Sequence, residues 1–226
     1  MKRVFDLISS GIGLILAAPL IGAVALLIKV TSPGSMFFGQ ERVGFSERVF
    51  RVFKFRTMVD RADAMGTSVT AGNDPRITPI GRILRRTKLD ELPQLINVFR
   101  GDMSLVGPRP DVPEIVENYS PEMRRIFSIK PGITSVATLH LRDEEGILAK
   151  VEDPDKFYED ILVPLKVKLA MEHVDRNSFW FDMKILLQTV WMLTLGRFWP
   201  IEVHPEVESL KRQIQEQAHA GAKSLN

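Results

Sequence analysis

From Leu7 to Ile28 the chain carries no charged side chain, and this run constrains where everything else can fold. Its 22 residues would make a straight helix roughly 33 Å long, enough to cross a hydrocarbon core of about 30 Å. Lys2 and Arg3 precede the run, while Lys29, Arg42, Arg48 and Arg51 follow it, so both flanks carry the positive charge typical of the cytoplasmic side. Pro19 lies in the middle. Inside a helix it removes one hydrogen bond and crowds the carbonyl of Ile15. Local features allow a kinked spanning helix. They equally allow two half-helices, Leu7 to Ala18 and Leu20 to Ile28, that enter and return on one side with the freed carbonyls covered by protein. A cleaved export signal ending near Ala23-Val24-Ala25 fits less well, because no cysteine follows for disulfides.

At 226 residues the chain can bury one substantial core. The absence of cysteine excludes thiol catalysis and cysteine metal sites. A net charge of +2 conceals a sharp division. Residues 42–61 carry six Lys or Arg against two acids, and residues 82–109 carry six against three. Residues 143–160 carry two against eight. The basic stretches suit anionic lipid or a phosphorylated substrate, and the acidic one reads as a solvated face.

Met36–Gln40 and Val49–Arg56 read as short strands around a tight loop at Gly44, with Lys54 and Arg56 sharing a face. Residues 65–76, containing Gly66, Gly72, Asn73 and Pro75, read as a polar loop. Ile77–Arg86 reads as a basic amphipathic helix suited to a membrane surface. Another helix is predicted from Asp90 or Glu91 to Arg100, stopped by Gly101. Residues 111–128 read as helical, as does Pro154–Asn177. A last helix, Asp182–Leu195, stands among Trp180, Trp191 and Trp199, which favours an interface. The polar tail from Glu206 is predicted to fray. The division is a membrane segment at 1–30, a catalytic domain at 31–200 and a polar tail at 201–226.

The chemistry concentrates in Asp90 and Glu91, which follow Arg82, Arg85, Arg86 and Lys88 and precede Gly107-Pro-Arg-Pro110. Taken alone, an Asp-Glu pair with Pro93 in the first turn is a plain helix N-terminus. Among guanidinium groups, however, carboxylates suit a site where a phosphate is bound and attacked. Neighbouring helical positions point about 100° apart, so one carboxylate can reach phosphorus while the other binds a metal or takes a proton. A carboxylate nucleophile forms an acyl phosphate. Two acids would repel a diphosphate, which argues for Mg²⁺ on Asp90 and Glu91. The prolines beside Arg109 restrict where its guanidinium can point. His140, His173, His204 and His219 show no metal-ligand spacing, and no glycine-rich phosphate loop occurs.

The block Asn73-Asp-Pro-Arg-Ile-Thr-Pro-Ile-Gly-Arg-Ile-Leu-Arg-Arg-Thr87, continued through Leu89-Asp-Glu-Leu-Pro-Gln94 to Pro110, resembles the core of the bacterial sugar transferase family, the monotopic phosphoglycosyl transferases. The resemblance extends to Lys2-Arg-Val-Phe-Asp6, Phe37-Phe-Gly-Gln-Glu-Arg-Val-Gly44, Phe53-Lys-Phe-Arg-Thr-Met58 and Pro131-Gly-Ile-Thr134, and so covers roughly residues 2–195. The chain is similar to the family's short members. The resemblance implies transfer of a phosphosugar from a UDP-sugar to a polyprenol phosphate, giving a polyprenyl-diphosphate-sugar and UMP through a covalent intermediate on Asp90. It implies that Glu91 serves Mg²⁺ or activates the lipid phosphate, and that Arg85, Arg109, Lys54 and Arg56 lie near the phosphates. It also implies a re-entrant helix-break-helix at Pro19. The fold is then a mixed α/β, compact, membrane-associated domain with amphipathic interfacial helices, at the cytoplasmic face of a bacterial inner membrane, open to homodimer formation.

Two departures from the family pattern stand out. Ala18 precedes Pro19 where a serine is common, and Ser135 and Thr138 replace the usual Gly and Gln after Pro131-Gly-Ile-Thr134, so the donor sugar does not carry over. A non-catalytic membrane-docked module binding phospholipid or nucleotide-sugar is the alternative, though it gains nothing from acids in a phosphate site. Nucleic-acid binding sits badly with the apolar N-terminus and the acidic 143–160 segment.

Overall fold

In a computed structural model, residues 1–66, 69–70, 74–196 and 201–224 are described. The apolar run becomes α1, Lys2–Thr31, with helical backbone on both sides of Pro19. Among the described residues it is the one helix long and apolar enough to cross a membrane. Its middle stays open to the surroundings: Ile15 and Leu16 are each about three-quarters exposed. Such a surface suits lipid. The N-terminal arm is tied down by polar groups. Arg3 donates to the carbonyls of Val98 and Phe99, and buried Asp6 accepts from Ser104 Oγ at 2.9 Å and from the Leu105 N–H at 3.1 Å. Lys2 donates to the Val106 carbonyl and pairs with Asp182. The C-terminal arm packs by Val24, Ala25 and Ile28 against Phe55 and Leu84.

Strands β1, Phe37–Val43, and β2, Val49–Phe55, form an antiparallel hairpin with Phe37 opposite Phe55 and Val43 opposite Val49. The first strand runs three residues beyond the predicted end at Gln40. Helix α2, Pro79–Thr87, starts as its sequence dictates: Pro79 supplies the pre-set φ, and Thr78 Oγ1 accepts from the Gly81 N–H at 3.0 Å. A Cβ on Gly81 would lie 1.9 Å from the Thr57 carbonyl oxygen, so glycine alone lets α2 seat on the chain leaving the hairpin.

Lys88 takes a left-handed conformation (φ 58°) and ends α2. A single 3-10 turn, Leu89–Glu91, follows, and α3 runs from Gln94 to Arg100 (Gln94–Arg100), closed by Gly101 at φ 96°. The predicted helix over 90–100 is therefore two pieces, because Pro93 has no N–H for the ladder. Asn97, fully buried, accepts from the Phe53 N–H and donates to the Arg51 carbonyl, which fixes α3 against β2.

Beyond α3 lie β3, Ser104–Val106, α4, Pro113–Val116, and β4, Gly132–Thr134, which pairs parallel with β3. Then come α5, Val136–His140, α6, Glu144–Leu148, and α7, Pro154–Phe157. The chain continues through a π turn, Tyr158–Leu162, into α8, Val163–Asp175. The expected helix at 111–128 is interrupted: between α4 and a 3-10 segment, Met123–Ser128, Pro121 forces Ser120 out of helical conformation.

Helix α9, Phe179–Thr194, leaves Trp180 and Leu187 largely exposed, while Asp182 in its first turn is buried against His173 of α8 at 2.8 Å. Helix α10, Pro205–Ser224, corrects the expectation of a fraying tail. Val207 is fully buried and Ile214 nearly so, both in the cluster built around Leu139, Leu162 and Leu169. The isolated apolar positions in a polar stretch concealed this docking face. Gly72, Asn73 and Trp199 lie outside the described residues.

Candidate active site

The turn after α2 and the proline-flanked loop after β3 meet over the end of the hairpin. They enclose a cavity of about 1090 Å³ lined by twelve Lys or Arg and seven Asp or Glu side chains. That excess of positive charge suits an anionic ligand. Asp90, Glu91, Lys54, Arg56, Arg85 and Arg109 all line it, so the structure gathers every predicted polar site residue around one space. Pro19 lies on α1, outside this lining.

The two carboxylates are buried to a similar degree but are partnered differently. Glu91 Oε1 accepts from Arg109 Nη2 at 2.9 Å and faces Lys54 Nζ at 3.4 Å. Burial alone would raise its pKa. The Arg109 and Lys54 charges outweigh burial and hold it well below the usual carboxylate range. Asp90 Oδ1 is buried and accepts no hydrogen bond. Burial, reinforced by the neighbouring Glu91 charge, pushes the Asp90 pKa upward against the pull of Lys54 and Lys88. Burial also lowers Lys54 to about 8, partly opposed by Glu91. One carboxylate is thus neutralised in place and the other is left unsolvated, a division that assigns them different roles.

Arg109 is held by its backbone surroundings as well as by its prolines. The Gly107 N–H donates to the Thr134 carbonyl, and the Gly132 N–H to the Pro108 carbonyl. Arg42 Nη1 donates to the Pro110 carbonyl at 3.0 Å while its other nitrogens grip Gln40. Arg85 keeps one buried nitrogen, Nη1, without a hydrogen-bond partner, so a donor and an acceptor both remain unmet at this cavity. Arg56 is placed otherwise. Its guanidinium donates to the carbonyls of Ser32 and Pro33, at 2.8 and 2.6 Å, and fastens the exit of α1 to the cavity wall.

The acidic stretch is not simply a solvated face, as its composition suggests. Glu144, Glu145 and Tyr158 line the cavity, and Glu145 Oε1 lies 3.3 Å from Arg85 Nε. Opposite charges draw the acidic segment over the basic one. Reading by composition also missed Arg42, Lys166 and Tyr158. Lys166 carried a signal, since it lies between apolar Leu165 and Val167 and reaches a buried position.

A domain docked on an exposed apolar helix, with an unsatisfied buried carboxylate in a basic cavity, matches what a class of proteins acting on phosphorylated ligands at a membrane would need. The chain belongs to the bacterial sugar transferase family, whose profile matches residues 1–196. It is 41% identical over 200 residues to an undecaprenyl-phosphate glucose phosphotransferase of Komagataeibacter xylinus, covering 84% of this chain and 35% of that protein. It is 38% identical over 192 residues to a UDP-glucose:undecaprenyl-phosphate glucose-1-phosphate transferase of Caulobacter vibrioides, covering 84% and 68%. An exopolysaccharide production protein of Rhizobium leguminosarum is 39% identical over 197 residues, covering 84% and 93%. The chain therefore spans about a third of the first relative's length and most of the third's.

Proposed function

We propose that this protein transfers a sugar 1-phosphate from a UDP-sugar to undecaprenyl phosphate or a similar polyprenol phosphate, initiating assembly of a surface glycan. The observation that carries this reading is Asp90 Oδ1, buried and without a hydrogen bond beside a carboxylate already neutralised by Arg109 and Lys54. Asp90 attacks the sugar-bearing phosphorus; the bond to the UMP oxygen breaks, and UMP leaves with the electron pair. The polyprenol phosphate oxygen then attacks the same phosphorus and releases the Asp90 carboxylate. Arg85, Arg109 and Lys54 stabilise the charge that gathers on the phosphoryl oxygens. Arg56 acts at one remove, by holding the wall on which Lys54 stands.

Asp90 and Glu91 would hold Mg²⁺, which offsets diphosphate charge when bound. The pair fits it: Glu91 Oε2 takes part in neither bond to Arg109 and Lys54, and a carboxylate such as Asp90 has a second oxygen besides the one that attacks. Among the described residues no group of three His, Asp or Glu side chains could hold a metal alone, so phosphate oxygens and water would complete the shell.

In this reading α1 enters one leaflet and returns to the cytoplasmic face. Two observations support it. The N-terminal arm bonds to residues 98–106, and the C-terminal arm packs on residues 84–92 of the same short stretch. The domain thus holds both arms, which favours a bend near Pro19.

The test is to incubate the protein with UDP-glucose and Mg²⁺ but no lipid, then weigh it intact. A mass increase of one hexose phosphate, absent from Asp90→Asn, is expected. A fully active Asp90→Asn protein would refute the covalent route, and a wild type that releases no UMP from any UDP-sugar would favour a binding module.

A further inference from the structure

One wall of the cavity is used by neither Asp90 nor its cations. Tyr158 opens the π turn, where Pro164 has no N–H for the Asp160 carbonyl and the helix widens. Lys166 Nζ lies 4.7 Å from the centre of the Tyr158 ring, donates to Tyr158 Oη at 2.9 Å, and donates to Glu144 Oε1 at 3.3 Å. All three side chains line the cavity, with Lys166 buried.

The hydrogen-bond capacity of this trio is only partly used. An ammonium has three N–H donors, and these bonds take two. Tyr158 Oη is an acceptor here, which leaves its own proton uncommitted within the trio. Glu144 Oε2 takes part in neither bond. Two donors and one acceptor therefore remain together, on a wall where the charges of Lys166 and Glu144 cancel. An anion gains little there. The hydroxyls of a sugar, each both donor and acceptor, match it.

The position of the trio selects which part of the donor it meets. Glu144 is followed by Glu145, which reaches Arg85 Nε at 3.3 Å, and Glu144 and Tyr158 share the cavity lining with Arg109, which pairs with Glu91 beside Asp90. In phosphosugar transfer the attacked phosphorus carries the hexose directly, whereas uridine stands one phosphate further away. The geometry points to Tyr158, Lys166 and Glu144 as the subsite that holds the donor hexose and reads its hydroxyls, an inference that rests on the proposed transfer reaction.

The test compares wild type, Tyr158→Phe and Glu144→Gln by UMP release from UDP-glucose, UDP-galactose and UDP-N-acetylglucosamine, with inhibition by added UMP measured alongside. Both substitutions nearly keep side-chain volume, and thermal melts identify a variant that fails to fold, leaving the other to carry the comparison. Each lost bond is expected to lower kcat/KM for the preferred donor roughly tenfold. The preference between UDP-glucose and its epimer UDP-galactose should narrow by about threefold or more, since the epimers differ in one hydroxyl. Inhibition by UMP, which has no hexose, should match wild type. Equal losses on all three donors, or weakened UMP inhibition, would overturn the assignment and place the trio at the nucleotide or in the scaffold. Wild type inert with every donor would instead overturn the transfer reading on which the subsite rests.

Discussion

Asp90 and Glu91 are adjacent, yet their surroundings drive their acidities apart, and each direction has a measurable sign. Asp90 has a folded-state pKa above its unfolded value. As pH rises between those two values the unfolded chain sheds the proton first, so folding loses stability there, and the loss persists at neutral pH. Asp90→Asn should therefore be more stable than wild type at pH 7, by ~1 kcal/mol, read as a higher Tm, while forming no phosphosugar adduct. Lys54 shifts the other way for a base, down to about 8. Between pH about 8 and its ordinary value near 10.5 the folded protein alone has lost this proton, so stability rises across that window while attraction for phosphate falls. The KM for UDP-sugar should climb above pH about 8 in wild type, and Lys54→Met should lose that limb; a parallel rise in the variant would assign the titration elsewhere.

At the scale of elements, α1 carries the sharpest prediction. If Pro19 bends the helix back, a cysteine in a short extension before Met1 and one at exposed Ser46 of this cysteine-free chain both face the cytoplasm. Neither should react with an impermeant thiol reagent in intact, right-side-out cells, and both should react once the membrane is opened. Pro19→Ala returns the missing N–H to α1 and favours a straight helix long enough to span, and should give mixed labelling, because the basic residues after Ile28 resist translocation. Labelling of one wild-type site alone would establish a crossing.

The same elements show what sequence can and cannot carry. The apolar run, the alternation of the hairpin and the amphipathic α2 are local signals and appear as read, although α2 starts at Pro79 rather than Ile77. That Asp90 and Glu91 share one cavity with Arg85 and Arg109 was legible, because motif and chemistry agree. The wall formed by Glu144, Tyr158 and Lys166 was not, because it depends on an acidic segment folding back across about sixty residues onto Arg85. Likewise, the docking of α10 rests on a few apolar residues whose partners in α5 and α8 lie far away in the chain.

For the molecule as a whole, the core extends past the stretch that matches the family. Val207 and Ile214 come after residue 196, yet both lie in the cluster with Leu139, Leu162 and Leu169. Deleting residues 201–226 should thus uncover apolar surface on the far side of α5, whose Ala137 and Thr138 line the cavity. The expected loss is ~4 kcal/mol, from two buried aliphatic side chains. It should appear as a lowered Tm and as faster proteolysis, and a truncated chain that melts with wild type would show the docking to be superficial.

The arms of α1 also have a practical consequence. Asp6 satisfies Ser104 and the Leu105 N–H, Arg3 satisfies the last carbonyls of α3, and Ile28 fills space against Phe55. The anchor is thus the keel of the molecule rather than a mooring line. Cutting it away would not free a water-soluble enzyme but would open the hull. The keel is bolted beside the turn that bears Asp90, through Leu89 and Leu92, so the fold itself fixes where the anchor stands relative to that carboxylate. In the proposed transfer, that fixed offset is what would bring Asp90 level with an acceptor phosphate at the waterline.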